Sequence, residues 1–298
     1  MHAISVERLT KCYGRRAGVQ DLGFQVPEGV MFGFLGPNGS GKTTTIRVLL
    51  GLLRADQGRA QVMGRDCWKR SREAMVEIGY VPGDLRLYPW LTCRSALRII
   101  GLARRRDLSN PGCKLAEEFD LPMEVPVRRM SRGMRQKLGL IMALAPQPRL
   151  LLLDEPSTGL DPLVQDRFFA HLRGLVRAGH TVFFSSHVLS EVEDLCDRVA
   201  IMRHGRLAAC ESLETLRQRA HRRVSILWHA GTNLSAMKPP SMLGDVSNDG
   251  LRWSATLQGD SGELLVWCRD KPIADLTIGV PDLSEIFRRY YEGDESKP

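Results

Sequence analysis

The chain has 298 residues, 43% hydrophobic and 26% charged, which is ordinary for a globular protein of one large domain or one medium and one small domain. Its formal net charge is +8, and arginine supplies nearly all of the basic excess. We interpret this arginine bias as a reflection of genome composition. The alternative is attraction to anionic lipid headgroups or phosphate ligands. Seven cysteines without a CxxC pair indicate neither a disulfide framework nor a zinc site, and no apolar run approaches the roughly 20 residues that cross a bilayer. We expect a soluble protein in a reducing compartment, held at any membrane by another protein.

The first part of the chain, to about residue 215, alternates short apolar runs with amphipathic patterns, which predicts an α/β domain around a buried parallel sheet. Val30–Leu35 is a predicted strand that ends in a glycine-rich turn, and Lys42–Leu53 is the helix after it. Four consecutive leucines, Leu150–Leu153, are too few for a helix and predict a buried strand. The next helix starts at Asp161-Pro162, with a capping carboxylate and a first-turn proline. Further strands are predicted at Thr181–Ser185 and Val199–Met202.

Two regions depart from this alternation. Residues 84–145 show helical patterns only, which predicts a helical subdomain inserted into an α/β domain of residues 1–218. Its helices are predicted at Thr92–Arg106, Cys113–Phe119 and Gly133–Ala145, broken by Pro111, Pro122 and Pro126. Residues 219–298 predict a small α+β domain. Its elements are strands at Val224–Trp228, Leu251–Leu257 and Ile273–Val280, helices at Asp260–Asp270 and Asp282–Tyr291, and loops at 238–241 and 247–250.

A glycine-rich segment follows the first of these strands and matches GxxxxGK[ST] at every required position. Its residues are Gly36, Pro37, Asn38, Gly39, Ser40, Gly41, Lys42 and Thr43, with Thr44 next along the helix. Backbone N–H groups of such a loop turn inward and bind phosphate oxygens, and the helix N-terminus adds positive potential. Lys42 supplies a point charge for the β- and γ-phosphates, and the Thr43 hydroxyl is a ligand for Mg²⁺. The segment predicts a P-loop protein that binds nucleotide phosphates and Mg²⁺, a class that includes kinases, GTPases and motors.

A carboxylate pair ends the leucine-rich strand. Asp154 is predicted to reach Mg²⁺, and Glu155 points the other way off the backbone, where a carboxylate is placed to act as the base for an attacking water. An acidic turn after a core strand is the alternative for this pair taken alone. Together with the phosphate loop, the pair indicates hydrolysis of the bound nucleotide, and the resemblance described next identifies that nucleotide as ATP.

From this point the chain resembles the ATP-binding cassette (ABC) ATPases over roughly residues 3–215. The segment from Met130 to Gln136 (MSRGMRQ) is similar to the family's LSGGQ signature. The resemblance implies that Ser131, Gly133 and the helix N-terminus contact the γ-phosphate held by a second cassette, so that a dimer encloses two ATP molecules. It also implies a connecting loop ending at Asp161, a γ-phosphate-sensing His187 and an adenine-stacking Tyr13.

Two positions depart from the family pattern. The family has a glutamine after a segment like Ile78–Pro82, where it contacts Mg²⁺, but this chain has Gly83 followed by Asp84. The glutamine's role is therefore either empty or transferred to Asp84. The signature carries Arg132 and Met134 where the common form has glycine and glutamine, and we expect anion binding to be kept.

The resemblance implies an ATPase subunit that works as a homodimer, or as a heterodimer with a related cassette, on a separate membrane permease. Residues 83–94 (GDLRLYPWLTCR) are where such cassettes hold the permease; a hydrophobic anchor for the inserted helices is the alternative. The C-terminal domain resembles the appendage of cassettes that export drugs, antibiotics or lipid polymers, with an independent ligand-binding domain as the alternative. We therefore expect export, with the chain peripheral at the cytoplasmic face of the cell membrane.

Soluble ABC ATPases that act on the ribosome or on DNA remain the other class of function. Ribosomal cassettes usually carry two cassettes in one chain, and this chain shows one. Chromosome cassettes carry long heptad coiled coils, which the sequence lacks. The basic stretch Arg128–Lys137 has no interleaved aromatic residues, so we expect no nucleic-acid partner.

Overall fold

The computed structural model describes residues 2–14, 16–234 and 237–292. The chain separates into two compact units, Met1–Leu213 and Glu214–Pro298. The strands of the first unit are β1 (His2–Tyr13), β2 (Arg16–Pro27), β3 (Met31–Leu35), β4 (Gln57–Val62), β5 (Arg65–Asp66), β6 (Ile78–Val81), β7 (Leu150–Asp154), β8 (Thr181–Ser186), β9 (Arg198–Arg203) and β10 (Arg206–Ser212). Its helices are α1 (Lys42–Leu49), α2 (Ser71–Val76), α3 (Cys93–Arg104), α4 (Ser109–Glu118), α5 (Arg132–Leu144), α6 (Pro162–Arg177) and α7 (Leu189–Leu195), with a 3-10 turn at Val127–Arg129.

The central sheet has six strands in the order β10-β9-β3-β8-β7-β6. All neighbours pair in parallel except β9 and β10, which form an antiparallel hairpin. Strands β3 and β7 are buried along their whole length, which explains their uninterrupted apolar sequences. Because β3 and β7 both pair with β8, the phosphate loop after β3 and the carboxylates at the end of β7 lie at the same edge of the sheet.

A second sheet of four antiparallel strands, in the order β2-β1-β4-β5, packs on the first. An aromatic cluster joins the two sheets: the ring centroid of Phe24 on β2 lies 5.9 Å from that of Phe32 on β3 and 6.0 Å from that of Phe183 on β8. These side chains are buried, and losing one such ring from a core typically costs about 3–5 kcal/mol. The sheet positions Tyr13 beside the phosphate loop, because β1 ends at that residue.

Helices α3, α4 and α5 are inserted between β6 and β7. Helix α3 begins with a capping box, in which the Thr92 and Ser95 side chains each accept a hydrogen bond from the other's backbone N–H. The insertion is fixed to α6, where Phe119 packs edge-on against Phe168 and His171 lies 3.1 Å from the Glu118 carboxylate.

The second unit contains one antiparallel sheet, in the order β12-β13-β11-β14. Helix α8 (Leu213–Arg219) spans the division between the units, and β11 (Arg222–Trp228), β12 (Leu243–Asp249), β13 (Arg252–Leu257), α9 (Ser261–Cys268), β14 (Ile273–Pro281) and α10 (Ser284–Glu292) follow it. The core of this unit includes Trp228, Trp253 and Leu264, with the two indole rings 4.9 Å apart and edge to face. The assignment of residues 219–298 as an accessory domain stays a prediction.

The predicted α/β domain with inserted helices is confirmed, but the structure differs from the sequence-based expectations in four details. Helix α1 ends at Leu49 instead of Leu53, because Gly51 adopts a positive φ of 66° and the Leu52 N–H bonds back to the Arg47 carbonyl. Pro111 does not break a helix: it lies in the first turn of α4, where it removes no intrahelical hydrogen bond, and α4 begins at Ser109 instead of Cys113.

The other two differences are strands that the sequence patterns did not reveal. The antiparallel sheet formed by β1, β2, β4 and β5 was not predicted as a separate layer. Residues 247–249, predicted as a loop, belong to β12, which forms a hairpin with β13. Within residues 2–14, 16–234 and 237–292, no helix is long and apolar enough to cross a bilayer.

Candidate functional site

The phosphate loop is a tight turn between β3 and α1 that only glycine permits at its last position. Gly41 caps α1 with a φ of 104°, in the left-handed region. A Cβ at this position would lie 2.6 Å from the Val19 Cγ1 and 2.7 Å from the Gly18 carbonyl oxygen. The loop therefore packs closely against Gly18 and Val19 of β2, and its backbone conformation requires glycine at residue 41.

Lys42 is held by its own loop. Its Nζ donates hydrogen bonds to the carbonyl oxygens of Gly36, at 2.6 Å, and Pro37, at 3.3 Å, and it lies 3.4 Å from the Glu155 Oε1. The side chain is only 5% exposed, so the ammonium is directed into the loop. A buried cation surrounded by carbonyl and carboxylate oxygens is ready to exchange them for phosphate oxygens.

Next to Lys42 lies a cavity of about 380 Å³. It is lined by Tyr13, Ala17, Gly18, Asn38, Gly39, Gly41, Lys42, Thr43, Thr44 and Glu155. Tyr13 is 48% exposed, and its hydroxyl lies 3.4 Å from the Thr44 Oγ1. The Ser40 Oγ is buried in the loop with no hydrogen-bond partner among the described residues. A basic loop, an exposed ring and an unpaired hydroxyl fit a nucleotide with its phosphates at Lys42.

Thr43 and Asp154 form the candidate metal site. The Thr43 Oγ1 donates to the Asp154 Oδ2 at 2.7 Å, and the Ser185 Oγ donates to the other carboxylate oxygen, Oδ1, at 2.6 Å. Asp154 is 1% exposed, so both carboxylate oxygens are satisfied by these hydroxyl groups. Hydroxyl and carboxylate oxygens are the hard ligands that Mg²⁺ prefers, and the pair fits a cation that is also bound by nucleotide phosphates.

Glu155 lies between Lys42 and His187. Its Oε1 lies 3.4 Å from the Lys42 Nζ and its Oε2 3.3 Å from the His187 Nδ1, and its side chain is 25% exposed. The backbone of Glu155 has a positive φ of 50°, an uncommon conformation for a non-glycine residue. Strained backbone at a reactive side chain is typical of functional sites. The structure therefore brings both predicted catalytic residues to the phosphate loop.

Sequence reasoning treated Ser185 only as part of a strand. The structure shows that its backbone carbonyl accepts the Glu155 N–H at 3.1 Å, while its hydroxyl donates to Asp154. It thereby fixes both members of the carboxylate pair. The available signal was the pair of hydroxyl residues, Ser185 and Ser186, that ends a wholly buried strand.

The signature segment lies apart from this cavity. Ser131 caps α5 through a bond from the Met134 N–H to its Oγ, at 3.2 Å. A Cβ on Gly133 would lie 2.9 Å from the Gly159 carbonyl oxygen, which explains the glycine. The carboxylate of Asp161 caps α6 by accepting the Val164 N–H at 3.0 Å. None of these three predicted residues lines the cavity at Lys42 within the described part of the chain.

The signature helix contacts the loop after the carboxylate pair. Gln136, 8% exposed, donates from its Nε2 to the Pro156 carbonyl oxygen at 2.8 Å. The Arg132 side chain lies against Gly159, since a Cβ there would be 3.4 Å from the Arg132 Nε. Sequence reasoning missed this role of Gln136, for which no local pattern exists because its partner lies elsewhere in the chain.

Gly83 faces the metal site, and Asp84 is held by another residue. A Cβ on Gly83 would lie 3.5 Å from the Asp154 Oδ2, whereas the Asp84 Oδ2 accepts a 2.9 Å bond from the Arg86 Nε. Both residues line a cavity of about 680 Å³ that also reaches Thr43 and Asp154. Tyr80 lies in the wall of this cavity. Burial, together with the charge of Asp154, raises the pKa of Tyr80 to about 12. A direct contact between Asp84 and Thr43 or Asp154 is not found among the described residues.

Comparisons with known proteins show which family this chain is similar to. A family model described as ABC transporter matches residues 19–158. The Nod factor export ATP-binding protein I of Ralstonia nicotianae is 37% identical over 214 residues, which are 69% of this chain and 66% of that protein. The bacitracin transport ATP-binding protein BcrA of Bacillus licheniformis is 38% identical over 211 residues, 68% of each chain. The match with the Ralstonia protein thus spans just under two thirds of its length.

The fold is shared with solved structures. The structure described as that of the ATP-binding subunit of an ABC transporter superposes with a TM-score of 0.68 at 28% identity, over 73% of this chain and 92% of that one.

Proposed function

Because this chain belongs to the family of ABC transporter ATP-binding proteins, we propose that it hydrolyses ATP to drive export through a membrane permease on a separate polypeptide. Membership in the family makes the chain an ATPase with a P-loop cassette. The observation that carries the proposal is the convergence of Lys42, the Thr43–Asp154 pair and Glu155 at one edge of the parallel sheet.

Nucleotide binding depends on the loop and its flanking residues. Lys42 exchanges the carbonyl oxygens of Gly36 and Pro37 for phosphate oxygens, while the backbone N–H groups at the start of α1 bind the same phosphates. Tyr13 offers its exposed ring to the base. Thr43 and Asp154 hold Mg²⁺, which supplies charge neutralisation at the phosphates when bound.

Glu155 is the candidate general base. Its carboxylate is the partly exposed member of the acidic pair, whereas Asp154 is buried and bonded through both oxygens. Glu155 accepts the proton of the water that attacks the γ-phosphate, and His187, at 3.3 Å, orients its carboxylate. A positioned base of this kind typically contributes about 10²–10⁴-fold to the rate.

The signature residues act on the nucleotide of a second cassette. Ser131 and Gly133 lie at the N-terminus of α5 but do not line their own chain's cavity, so within the described residues a single copy leaves the two half-sites apart. A symmetric dimer, or a heterodimer with a related cassette, brings each signature to the other phosphate loop. Closure on ATP and opening after hydrolysis then form a two-state clamp.

An exposed aromatic pair supports the membrane partner. Tyr88 and Trp90 are 69% and 58% exposed, and their rings stack with centroids 5.6 Å apart. The backbone between them is fixed, because the Pro89 carbonyl accepts the Arg128 N–H at 3.0 Å. A rigid loop that presents two aromatic rings suits a helix-in-groove contact with a permease. Leu87, in the same segment, is half-buried.

Export and the peripheral location at the cytoplasmic face of the membrane rest on the relatives. The matched proteins are named for Nod factor export and bacitracin transport, and the proposed class of cargo is a drug, an antibiotic or a lipid-like compound. The permease carries the selectivity.

Co-purification from native membranes tests this function. The tagged chain is expressed in its native cells, recovered from detergent-solubilised membranes, and its partners are identified by mass spectrometry. Recovery of a polytopic membrane protein that is lost in the Tyr88→Ala/Trp90→Ala variant is expected. Recovery of ribosomal or DNA-bound proteins alone would remove the transport proposal and leave a soluble ABC ATPase.

A further inference from the structure

The loop that carries His187 is held on both sides by one buried hydroxyl group. Ser186, the last residue of β8, directly precedes His187 and is 2% exposed. Its Oγ accepts the Val188 N–H at 2.9 Å, so a single hydrogen bond joins the two neighbours of His187. The imidazole extends from this loop to Glu155, with its Nδ1 3.3 Å from the Glu155 Oε2. The direction of the imidazole therefore depends on where the Ser186 hydroxyl is held.

The Ser186 hydroxyl is in turn held by Glu191 on α7. It donates to the Glu191 Oε2 at 2.6 Å, within the range of strong hydrogen bonds from a hydroxyl to a carboxylate. The other carboxylate oxygen, Oε1, accepts a 3.1 Å bond from the Nε2 of Gln165. Gln165 lies in the first turns of α6, where its own N–H donates to the Asp161 carbonyl oxygen at 2.9 Å. Glu191 thus ties the end of β8 to a regular part of α6.

Packing does not explain a carboxylate at residue 191. Glu191 is 8% exposed, and the other buried residues of α7 are the apolar Val192 and Leu195. Burial removes water from a carboxylate at a cost that two neutral donors offset only in part, and an apolar side chain would fill the same space without that cost. An apolar side chain would, however, leave the Ser186 hydroxyl with a weaker acceptor, the Val188 carbonyl oxygen at 3.4 Å. The carboxylate is therefore explained by the hydroxyl that it fixes.

Glu191 acts at a distance from the nucleotide. Within the described residues it lines neither the cavity at Lys42 nor the cavity at Gly83. Its hydrogen bonds lead to the loop of His187 and to α6. An effect of Glu191 on ATP turnover therefore passes through the position of the imidazole.

We propose, on the basis of the roles proposed above for Glu155 and His187, that Glu191 is a positioning residue for His187. By fixing the Ser186 hydroxyl, Glu191 holds the loop in the conformation that places the imidazole against the Glu155 carboxylate. Gln165 keeps the Glu191 carboxylate in place from the opposite side.

Two measurements on the purified full chain test this role. ATP turnover over a range of ATP concentrations separates kcat from KM. NMR spectra of the chain labelled with ¹³C in its seven histidine rings report on the imidazole, and the His187 signal is identified by its absence from His187→Gln. The variants are Glu191→Ala and the conservative Glu191→Gln. The matched control is Asp194→Ala, which removes an exposed carboxylate from the same helix.

Glu191→Ala is expected to lower kcat about tenfold with little change in KM, because the imidazole is misplaced while the residues that bind nucleotide are untouched. The His187 signal is expected to shift or broaden while the signals of the other histidines stay in place, which a general loss of structure would not produce. Glu191→Gln keeps an oxygen acceptor for the Ser186 hydroxyl and is expected to recover most of kcat. Asp194→Ala is expected to match the wild type.

Ser186→Ala tests whether Glu191 acts through the Ser186 hydroxyl. Because both residues belong to one network, the double variant Ser186→Ala/Glu191→Ala is expected to be no slower than Ser186→Ala alone. If Glu191→Ala does not fold, Glu191→Asp takes its place, since it keeps the charge but not the reach, and it is expected to shift the His187 signal in the same way. A wild-type His187 signal in these Glu191 variants would overturn the proposal, and so would losses of kcat that multiply in the double variant.

Turnover of His187→Gln separates this role from the proposed function. An unchanged rate in His187→Gln would remove His187 from the reaction and leave the ATPase assignment intact. The NMR signal of His187 in the Glu191 variants would still decide whether Glu191 positions the imidazole.

Discussion

The Lys42 ammonium and the Glu155 carboxylate lie 3.4 Å apart at the mouth of the phosphate loop. Lys42 is at the same time bonded to the carbonyl oxygens of Gly36 and Pro37, so the cation proposed to bind phosphate also contacts the carboxylate proposed as the base. We propose that nucleotide binding draws Lys42 toward the phosphates and changes the charge that Glu155 faces. The proposed base would thereby be coupled to the presence of substrate.

Glu155→Gln is expected to lower ATP turnover by about 100-fold or more, because the amide cannot accept the proton of the attacking water. ATP affinity is expected to be kept, since Lys42 and Thr43 are untouched. Turnover measured as phosphate release checks this, with the exposed Glu117→Gln as the control. Unchanged turnover in Glu155→Gln would remove Glu155 from the role of base.

Gly83→Gln is expected to strengthen metal binding. A Cβ at residue 83 lies 3.5 Å from the Asp154 Oδ2, so a glutamine side chain is directed toward the metal site. We expect Mn²⁺ to bind about tenfold more tightly in the presence of a nonhydrolysable ATP analogue, as judged by electron paramagnetic resonance. Gly83→Ala, which adds no ligand atom, is the control. Equal Mn²⁺ affinity in both variants would show that residue 83 does not face the metal.

Gln136→Ala is expected to destabilise the cassette by about 1–3 kcal/mol, because it leaves the Pro156 carbonyl oxygen without its buried donor. Chemical denaturation measures the loss, and Arg135→Ala on the exposed face of the same helix is expected to change the free energy of unfolding little. If the two variants are equally stable, the bond between α5 and the loop after β7 does not contribute to stability.

The buried thiols are expected to resist alkylation. Burial raises the pKa of Cys67 to about 12 and that of Cys93 to about 11, and it raises the pKa of Cys196 as well. Because the thiolate is the nucleophile, iodoacetamide at about pH 8 is expected to modify these residues only in denaturant. Mass spectrometry of native and denatured samples checks this, and rapid labelling of Cys67 in the native chain would contradict it.

The raised pKa values of these thiols determine how the stability of the fold changes with pH. Above the ordinary thiol pKa of about 8.5, the unfolded chain releases thiol protons that the folded chain keeps. The unfolded state is therefore favoured, and stability is expected to fall as the pH rises from about 9 toward 11 or 12. Urea denaturation at pH 8 and pH 10 measures the difference, and a replacement of Cys67 by alanine is expected to reduce it.

Local sequence patterns accounted for the catalytic edge of the sheet. The segment from Gly36 to Thr43 and the pair Asp154–Glu155 are contiguous motifs that follow apolar strands, so their chemistry and their position were both readable. The sheet that carries Tyr13 could not be predicted in the same way, because apolar and polar residues alternate only weakly along its strands. The strands are also interrupted by β-bulges, as the register shifts between β1 and β2 show.

The long-range contacts of the site had no local signal. Ser185 reaches Asp154, and Gln136 reaches Pro156, only through the tertiary fold. Pro111 was predicted to break a helix, but it lies in the first turn of α4. Its position in that turn could not be predicted without knowing where the helix starts. Motifs thus predicted which side chains meet at the phosphate loop, and the structure was needed for the residues that position them.

Two copies of the cassette are proposed to enclose ATP, and the mass of purified Glu155→Gln, measured by light scattering with and without Mg²⁺-ATP, shows whether they do. The variant removes the base but keeps Lys42, Thr43 and the signature. We predict a shift from monomer to dimer on adding ATP, which is lost when Ser131 is replaced by arginine. A mass that does not respond to ATP, in a chain shown to bind the nucleotide, would contradict the account.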